Sequence, residues 1–356
     1  MKKLLTSRKH RIILIIAVAI LLITAVVLFL LCRSSSSRTP EPTPTPTATP
    51  TLTTELPPRT YVTIGDETIA IDVTELEIDL SPSDNISYLS YLQQLESLMV
   101  YNLEGEFTAY EYAFPLLEQI AQLPNLQALT LGFIPLWELS ALSGLDSLRE
   151  LNIYYAWLPD IDTIATLTQL ETLKINGNSD IDFTPLAELV NLRYLTLQRN
   201  GLSDLSMLRN LTQLEVLELS HNEDIADLTP LAGLANMRQL SLKDSSVSDI
   251  TPLAGLSNLQ RIDLETANVS SIAPLAGLTN LTHLYLNHNN ISDIGAVEGL
   301  SNLSELWLYN NQVSDLEPLA ELFDLRMLEL GSNPIEDWSY LAHLYETVIN
   351  PMSDAD

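Results

Sequence analysis

The 356-residue chain has a single cysteine, Cys32, and after residue 60 it has little positive charge. One cysteine can form neither an intrachain disulfide nor a cysteine-based zinc site, so the fold must hold by packing alone. Of the 17 Lys and Arg residues eight precede residue 61, leaving nine against 44 carboxylates and a net charge of −35 over the remainder. A surface of that sign repels phosphate backbones, which excludes nucleic acid as a partner. Catalytic signatures are missing as well. Past the first sixty residues the histidines are His221, His283, His288 and His343, and none falls in a His-Glu-x-x-His pattern. No Gly-x-Ser-x-Gly elbow or glycine-rich phosphate loop occurs. His283 and His288 are close in sequence, but two histidines without a third ligand make a poor metal site. The sequence therefore points to no enzyme, no metal and no cofactor.

What is present divides the chain. Residues 1–11 carry five positive charges, and Ile12 to Cys32 follow as an uncharged apolar run of 21 residues. That run is long enough to span a hydrocarbon core of about 30 Å. It exceeds the apolar core of a cleaved signal peptide, and no Ala-x-Ala follows it. Bulky Leu31 before Cys32 also argues against a lipobox. The charge bias places the N-terminus in the cytoplasm and everything after the anchor outside. Residues 33–60 are a Ser, Thr and Pro tract in which Thr-Pro alternates. Such a segment buries no core and favours extended polyproline II, so it reads as a stalk.

Beyond the stalk the chain repeats itself. Equivalent positions open at Val73, Leu95, Leu126, Leu148, Leu170, Leu192, Leu214, Met237, Leu259, Leu281, Leu303 and Leu325, and nine of those eleven spacings are 22 residues. Apolar residues recur at offsets 3 and 5, as in Leu284 and Leu286, which is the alternation of a short strand. Asparagine follows at offset 8 in Asn178, Asn200, Asn222, Asn289, Asn311 and Asn333, where a stacked amide can bond neighbouring backbone groups. A Pro-Leu-Ala stretch comes later, as in Pro252-Leu253-Ala254, and proline suits the first position of a short helical turn. One such unit cannot bury its own leucines, so about twelve must stack over residues 73–344 and share a core. Stacking aligns the strands into a parallel sheet. Strands sit about 4.8 Å apart while the turns opposite need more width, so the sheet becomes the inner wall of a curve.

The unit Leu281-Thr-His-Leu-Tyr-Leu-Asn-His-Asn-Asn-Ile-Ser-Asp-Ile resembles the leucine-rich repeat family, and within it the 22-residue bacterial type found in internalins. The resemblance covers roughly residues 73–344. It implies an α/β solenoid: a right-handed horseshoe with a parallel β-sheet on the concave face and short helical turns on the convex face. It also implies a surface binding module. No Leu-Pro-x-Thr-Gly sorting signal occurs, and the tail after residue 345 leaves no room for the immunoglobulin-like domain of internalins. Attachment is therefore expected through residues 12–32. The resulting expectation is a membrane-anchored, extracellular protein-binding or adhesion module whose ligand is a protein or a glycan. The alternative is a structural or sensor subunit of a cell-surface complex that binds a neighbouring membrane or envelope protein.

Candidate sites follow from the register. If offsets 3 and 5 face the core, offsets 2, 4 and 6 face the concave side, with offset 7 just beyond the strand. Those offsets select Tyr154, Tyr155 and Tyr194, and further on His283, Tyr285, His288, Trp307 and Tyr309. Polar positions lie between: Lys174, Gln198, Glu218, Ser241, Lys243, Arg261 and Asp263. Exposed aromatics on a sheet mark contact sites or pair across strands. Carboxylates recur at offset 12 in Asp160, Asp182, Asp204, Asp249, Asp293, Asp315 and Asp337. Their fixed position fits acceptance of turn hydrogen bonds, with calcium bridging as the alternative. Residues 61–72 read as a hairpin cap and 345–356 as a C-terminal cap and tail, with Leu341, Leu344, Val348 and Ile349 covering the last coil. The spacing from Leu95 to Leu126 is 31 residues, so an insertion around 103–119 is either a functional loop or a local cap.

Overall fold

Each coil closes because its leucines have no other place to go. Leu284, Leu286, Leu306 and Leu308, at offsets 3 and 5, are completely buried, and so are the opening residues Leu281 and Leu303. Full burial of one such side chain contributes roughly 1.5–3 kcal/mol, a gain available only when a neighbouring coil covers it. The computed structural model describes residues 60–65, 67–80, 84–102, 110–344 and 348–349. The expected cytoplasmic segment 1–11, the apolar run 12–32 and the stalk up to residue 59 lie outside the described residues. So do residues 103–109 of the insertion and most of the tail. Among the described residues no helix is long and apolar enough to cross a membrane.

A hairpin comes first, with β1 (Tyr61–Ile64) antiparallel to β2 (Glu67–Ala70) around Gly65. Val62, Ile64 and Ile69 turn inward and join the core. The main sheet then runs through β3 (Glu75–Asp79), β4 (Ser97–Tyr101), β5 (Ala128–Gly132), β6 (Glu150–Tyr154) and β7 (Thr172–Asn176). It continues as β8 (Tyr194–Thr196), β9 (Val216–Glu218), β10 (Gln239–Ser241), β11 (Arg261–Asp263), β12 (His283–Tyr285), β13 (Glu305–Trp307), β14 (Met327–Glu329) and β15 (Val348–Ile349). All 13 strands are in sequence order, each parallel to the next. Registry follows the repeat, as in Leu284 opposite Leu306 and Tyr285 opposite Trp307. The result is the leucine-rich-repeat horseshoe, with the sheet on its concave face.

The convex side is made of short 3₁₀ turns. Five of those described have proline as their second residue, at Pro185, Pro230, Pro252, Pro274 and Pro318, within the first turn where the absent N–H is no loss. The insertion departs from this pattern. Its second part is a helix, α1 (Tyr110–Ile120), whose Leu116, Leu117 and Ile120 are buried where other coils place a turn. A second short helix, α2 (Asp162–Ala165), does the same with Ile164. At the end of the chain Leu341 and Leu344 are buried, and Val348 and Ile349 pair with β14 as the last strand of the sheet.

Two ladders hold successive coils together. Asn289 accepts from the amides of Ala267 (3.3 Å) and Val269 (2.8 Å) and donates to the carbonyls of Leu264 (2.8 Å) and Leu286 (2.9 Å). Asn222, Asn311 and Asn333 repeat this arrangement in their own coils. On the other side of the strand Asn191, Asn236, Asn258, Asn280 and Asn302 each donate to a carbonyl of the preceding coil at 2.8–2.9 Å. These amides are thus spent on the stack, where they satisfy backbone groups that no strand or helix reaches.

Candidate binding face

The concave surface from β9 to β13 is a field of side chains set by two rows. The centre row, offset 4, reads Glu218, Ser241, Asp263, Tyr285 and Trp307 on adjacent strands. Beside it, offset 2 reads Val216, Gln239, Arg261, His283 and Glu305. Tyr285 and Trp307 meet edge to face with ring centroids 4.8 Å apart and an interplanar angle of 75°. The Arg261 guanidinium lies 4.5 Å from the Tyr285 ring centroid, and Nη1 donates to the Tyr285 hydroxyl at 3.0 Å. That hydroxyl donates in turn to Glu305 Oε2 at 2.7 Å. Burial and the Glu305 carboxylate push the Tyr285 hydroxyl up to about 12, so it stays protonated and keeps the chain of bonds intact.

This network corrects one expectation. Tyr285 is not an open contact residue, because only 5% of it is exposed. It is the support on which Trp307 stands, and Trp307 and Tyr309 remain partly open. His283 lies near Glu305 (Nε2 to Oε1 3.7 Å) and bonds Thr282 through Nδ1 at 2.8 Å. His288 and Tyr309 form their own edge-to-face pair at 5.3 Å. The structure therefore brings His283, Tyr285 and Trp307 into one group and sets His288 with Tyr309 in a second.

Next to the aromatics the surface sinks. A depression of about 340 Å³ opens among Gln198, Glu218, Ser241, Lys243, Arg261 and Asp263. Burial raises both Glu218 and Asp263 from the ordinary carboxylate range, against the lowering effect of Gln198 on the first and of the Glu265 amide on the second. Lys243 is already matched to Glu265 at 2.9 Å.

The fold has clear relatives. The family model described as Leucine Rich repeats (2 copies) matches residues 190–233 and 279–321. The crystal structure of the internalin InlF from Listeria monocytogenes is similar at 27% identity, covering 79% of this chain and 88% of that one with a TM-score of 0.61. This chain is a leucine-rich repeat protein of internalin-like type. The fold alone is shared with a leucine-rich repeat protein of Leptospira interrogans, at 20% identity, 72% and 70% coverage and a TM-score of 0.56. It is also shared with the plant peptide hormone receptor RGFR1 solved with RGF2, at 21% identity, 78% and 47% coverage and a TM-score of 0.59. No curated protein matches the chain.

In this internalin-like domain the remaining candidates separate from the C-terminal group. Tyr154 sits on the concave face near Tyr101, and its hydroxyl is raised by burial first and by Tyr101 and Glu150 next. Tyr194 is exposed beside the Arg193 guanidinium, 5.8 Å from its ring centroid. Tyr155 is not on the sheet. It stacks on Phe133 at 5.5 Å and 9°, and its ring lies 2.3 Å from where a Cβ on Gly177 would be, so only glycine fits there. The reason is a backbone feature that the leucine pattern does not signal. Offset 7 has positive φ in ten consecutive coils, from Phe133 (59°) through Tyr155 (51°), Gly177 (72°), His221 (61°) and His288 (57°) to Ser332 (55°). These residues lie just past the strand ends, at the rim of the sheet, where His221 Nδ1 meets Asp244 Oδ2 at 2.7 Å. The rim also carries the exposed aromatics that the offset argument missed, Phe133, Trp137 and Trp157.

The recurring carboxylates are turn caps. Asp182, Asp204, Asp249, Asp293, Asp315 and Asp337 each accept the amide two residues on, at 2.8–2.9 Å, and Asp160 does so at 3.2 Å. In the coil with one extra residue Asp227 takes that place. The amide and hydroxyl donors hold Asp182, Asp227 and Asp249 below the usual aspartate range. Among the described residues no group of three or more His, Cys, Asp or Glu could hold a metal ion.

Proposed function

We propose that the concave face between β9 and β13 binds a protein ligand, with Trp307 and Tyr309 as its contact residues and Tyr285 as their support. Leucine-rich repeat folds are protein-binding scaffolds, and RGFR1 was solved with a peptide hormone. The observation that carries the reading is the Arg261–Tyr285–Glu305 chain beneath Trp307. It fixes a half-open indole on a rigid sheet, and rigid aromatics dominate interface energies because they bury large area at little entropic cost.

In this reading residues 12–32 anchor the chain in the cell membrane, N-terminus inside, and the Pro-rich stalk carries the domain outward for adhesion or recognition at the surface. Protease added to intact cells should release the repeat domain while a tag before Lys2 stays protected; release without protease contradicts the anchor. For the face itself, the Trp307→Ala, Tyr309→Ala double variant should lose capture of the surface ligand with its melting temperature unchanged. Retained capture, or capture lost only in step with stability, contradicts it.

A further inference from the structure

The depression beside Trp307 has a chemistry of its own. Glu218 and Asp263 flank it on β9 and β11, and the strand between them lines it with Gln239, Leu240 and Ser241, the small Ser241 lying between the two carboxylates in the centre row. Neither carboxylate is in a salt bridge among the described residues. Glu218 is contacted by the Gln198 amide at 3.4 Å, and Asp263 accepts the Glu265 amide at 3.1 Å. The nearby cations are committed elsewhere, Lys243 to Glu265 and Arg261 to Tyr285. Two desolvated carboxylates on the wall of an open hollow, next to an aromatic contact, have only the through-space charge of Arg261 and, for Asp263, of Lys243 to offset their burial, and no direct ion pair.

We propose that this hollow receives a basic side chain, lysine or arginine, of the same protein ligand whose apolar residue seats on Trp307. The inference rests on the concave-face reading above and gives the partner a chemistry. Glu218 and Asp263 stand on strands two spacings apart, about 10 Å between backbones, and a guanidinium or ammonium group on a flexible stem entering between them needs to pair directly with only one while the other lends its charge. Ser241 and Trp307 are three spacings apart, about 14 Å, which an extended segment crosses in about four residues. The ligand segment therefore carries an apolar residue and a basic one about four positions apart, running along the stack of coils. The free domain keeps the two carboxylates at a cost to its own stability, as functional sites commonly do.

The test uses the full-length chain in lipid nanodiscs and a labelled synthetic peptide, Trp-Ser-Gly-Ser-Arg, with its citrulline counterpart of equal size and no charge. Fluorescence anisotropy at about 0.15 M salt, where long-range attraction to an acidic protein is screened, reads affinity. The arginine peptide should bind saturably and at least about tenfold tighter than the citrulline peptide. In the Glu218→Gln, Asp263→Asn double variant that preference should vanish while the melting temperature holds or rises. Equal binding of the two peptides overturns the inference, as does absence of binding or a preference that survives in the variant. The Trp307→Ala, Tyr309→Ala variant separates the two readings. If it loses both peptides while arginine and citrulline bind the native chain equally, the face stands and the basic anchor falls. If neither double variant changes binding, both fall.

Discussion

The coils opening at Leu281, Leu303 and Leu325 and those opening at Met237 and Leu259 are built on the same 22-residue unit, yet they differ in what closes them. The first group has asparagine at offset 8, and each amide serves its own coil and the one before. In the second group that position holds Ser245 and Ala267. The buried Ser245 hydroxyl has no partner, and Ala267 has nothing to offer beyond its own amide, which bonds Asn289. The interruption falls on the coils whose strands form the hollow with Ser241, Arg261 and Asp263. Cohesion is concentrated in the coils that carry the aromatics, while the two coils opening at Met237 and Leu259, beside them, hold the desolvated Asp263 and an incomplete ladder. Binding surfaces are drawn from such locally weaker stretches when a rigid frame flanks them.

The largest effect should come from the frame. Leu286→Ala removes a fully buried side chain that two coils share and should cost about 2–5 kcal/mol in denaturant unfolding, with neighbouring coils lost together. An unchanged midpoint would mean that offset 5 does not face the core. Asn311→Ala comes next, since it leaves the Ile291 amide unpaired and takes one of two amide donors from each of the Leu286 and Leu308 carbonyls, and about 1–3 kcal/mol should be lost. Ser245→Ala, at the corresponding offset in the other group, should be nearly neutral because its hydroxyl bonds nothing. Equal losses at the two positions would erase the distinction between the groups.

Restoring the ladder should sharpen it. Ala267→Asn sets an amide where Asn289 and Asn311 already fit in their own coils, and it should gain about 1 kcal/mol if the backbone there is unchanged. A loss would show that these coils are too tightly packed for the ladder, not merely without it.

Acid titration should produce the smallest signal, with opposite signs in the two kinds of carboxylate. Asp182, Asp227, Asp249 and Asp337 have folded values below the unfolded aspartate value of about 3.9, so their contribution is complete above that pH and is lost as pH falls through the lowered values. Glu218 and Asp263 have folded values raised above the unfolded ones. The folded state therefore binds protons first, and stability rises as pH falls from neutral through those raised values. Melting curves should show a slight rise before the acid decline, and the Glu218→Gln, Asp263→Asn variant should lack the rise.

Much of this frame was legible in residue spacing. A leucine at a fixed offset has one physical use, and an asparagine or aspartate that recurs at a turn has few, so the core, the amide ladder and the Asp caps could be read directly. The site was legible only in part. The offsets named Tyr285, Trp307, Arg261 and Asp263 as neighbours, but the burial of Tyr285 depends on Arg261 and Glu305 reaching it from the two flanking strands. The rim was not legible. Positive φ at offset 7 usually announces itself through glycine or asparagine, and here the position holds Phe133, Tyr155 and His288 among others. Nothing in the insertion's spacing distinguished α1 from a loop, because its apolar residues follow the repeat's own leucines without a break in composition.

The central claim is that recognition belongs to the concave face and not to the aromatic rim. The direct measurement is surface-ligand capture by two variants in parallel, Trp307→Ala with Tyr309→Ala on the face and Phe133→Ala with Trp157→Ala on the rim, each with its melting temperature. The account predicts that the face variant loses capture at unchanged stability while the rim variant keeps it. Capture lost by the rim variant and kept by the face variant would contradict the account.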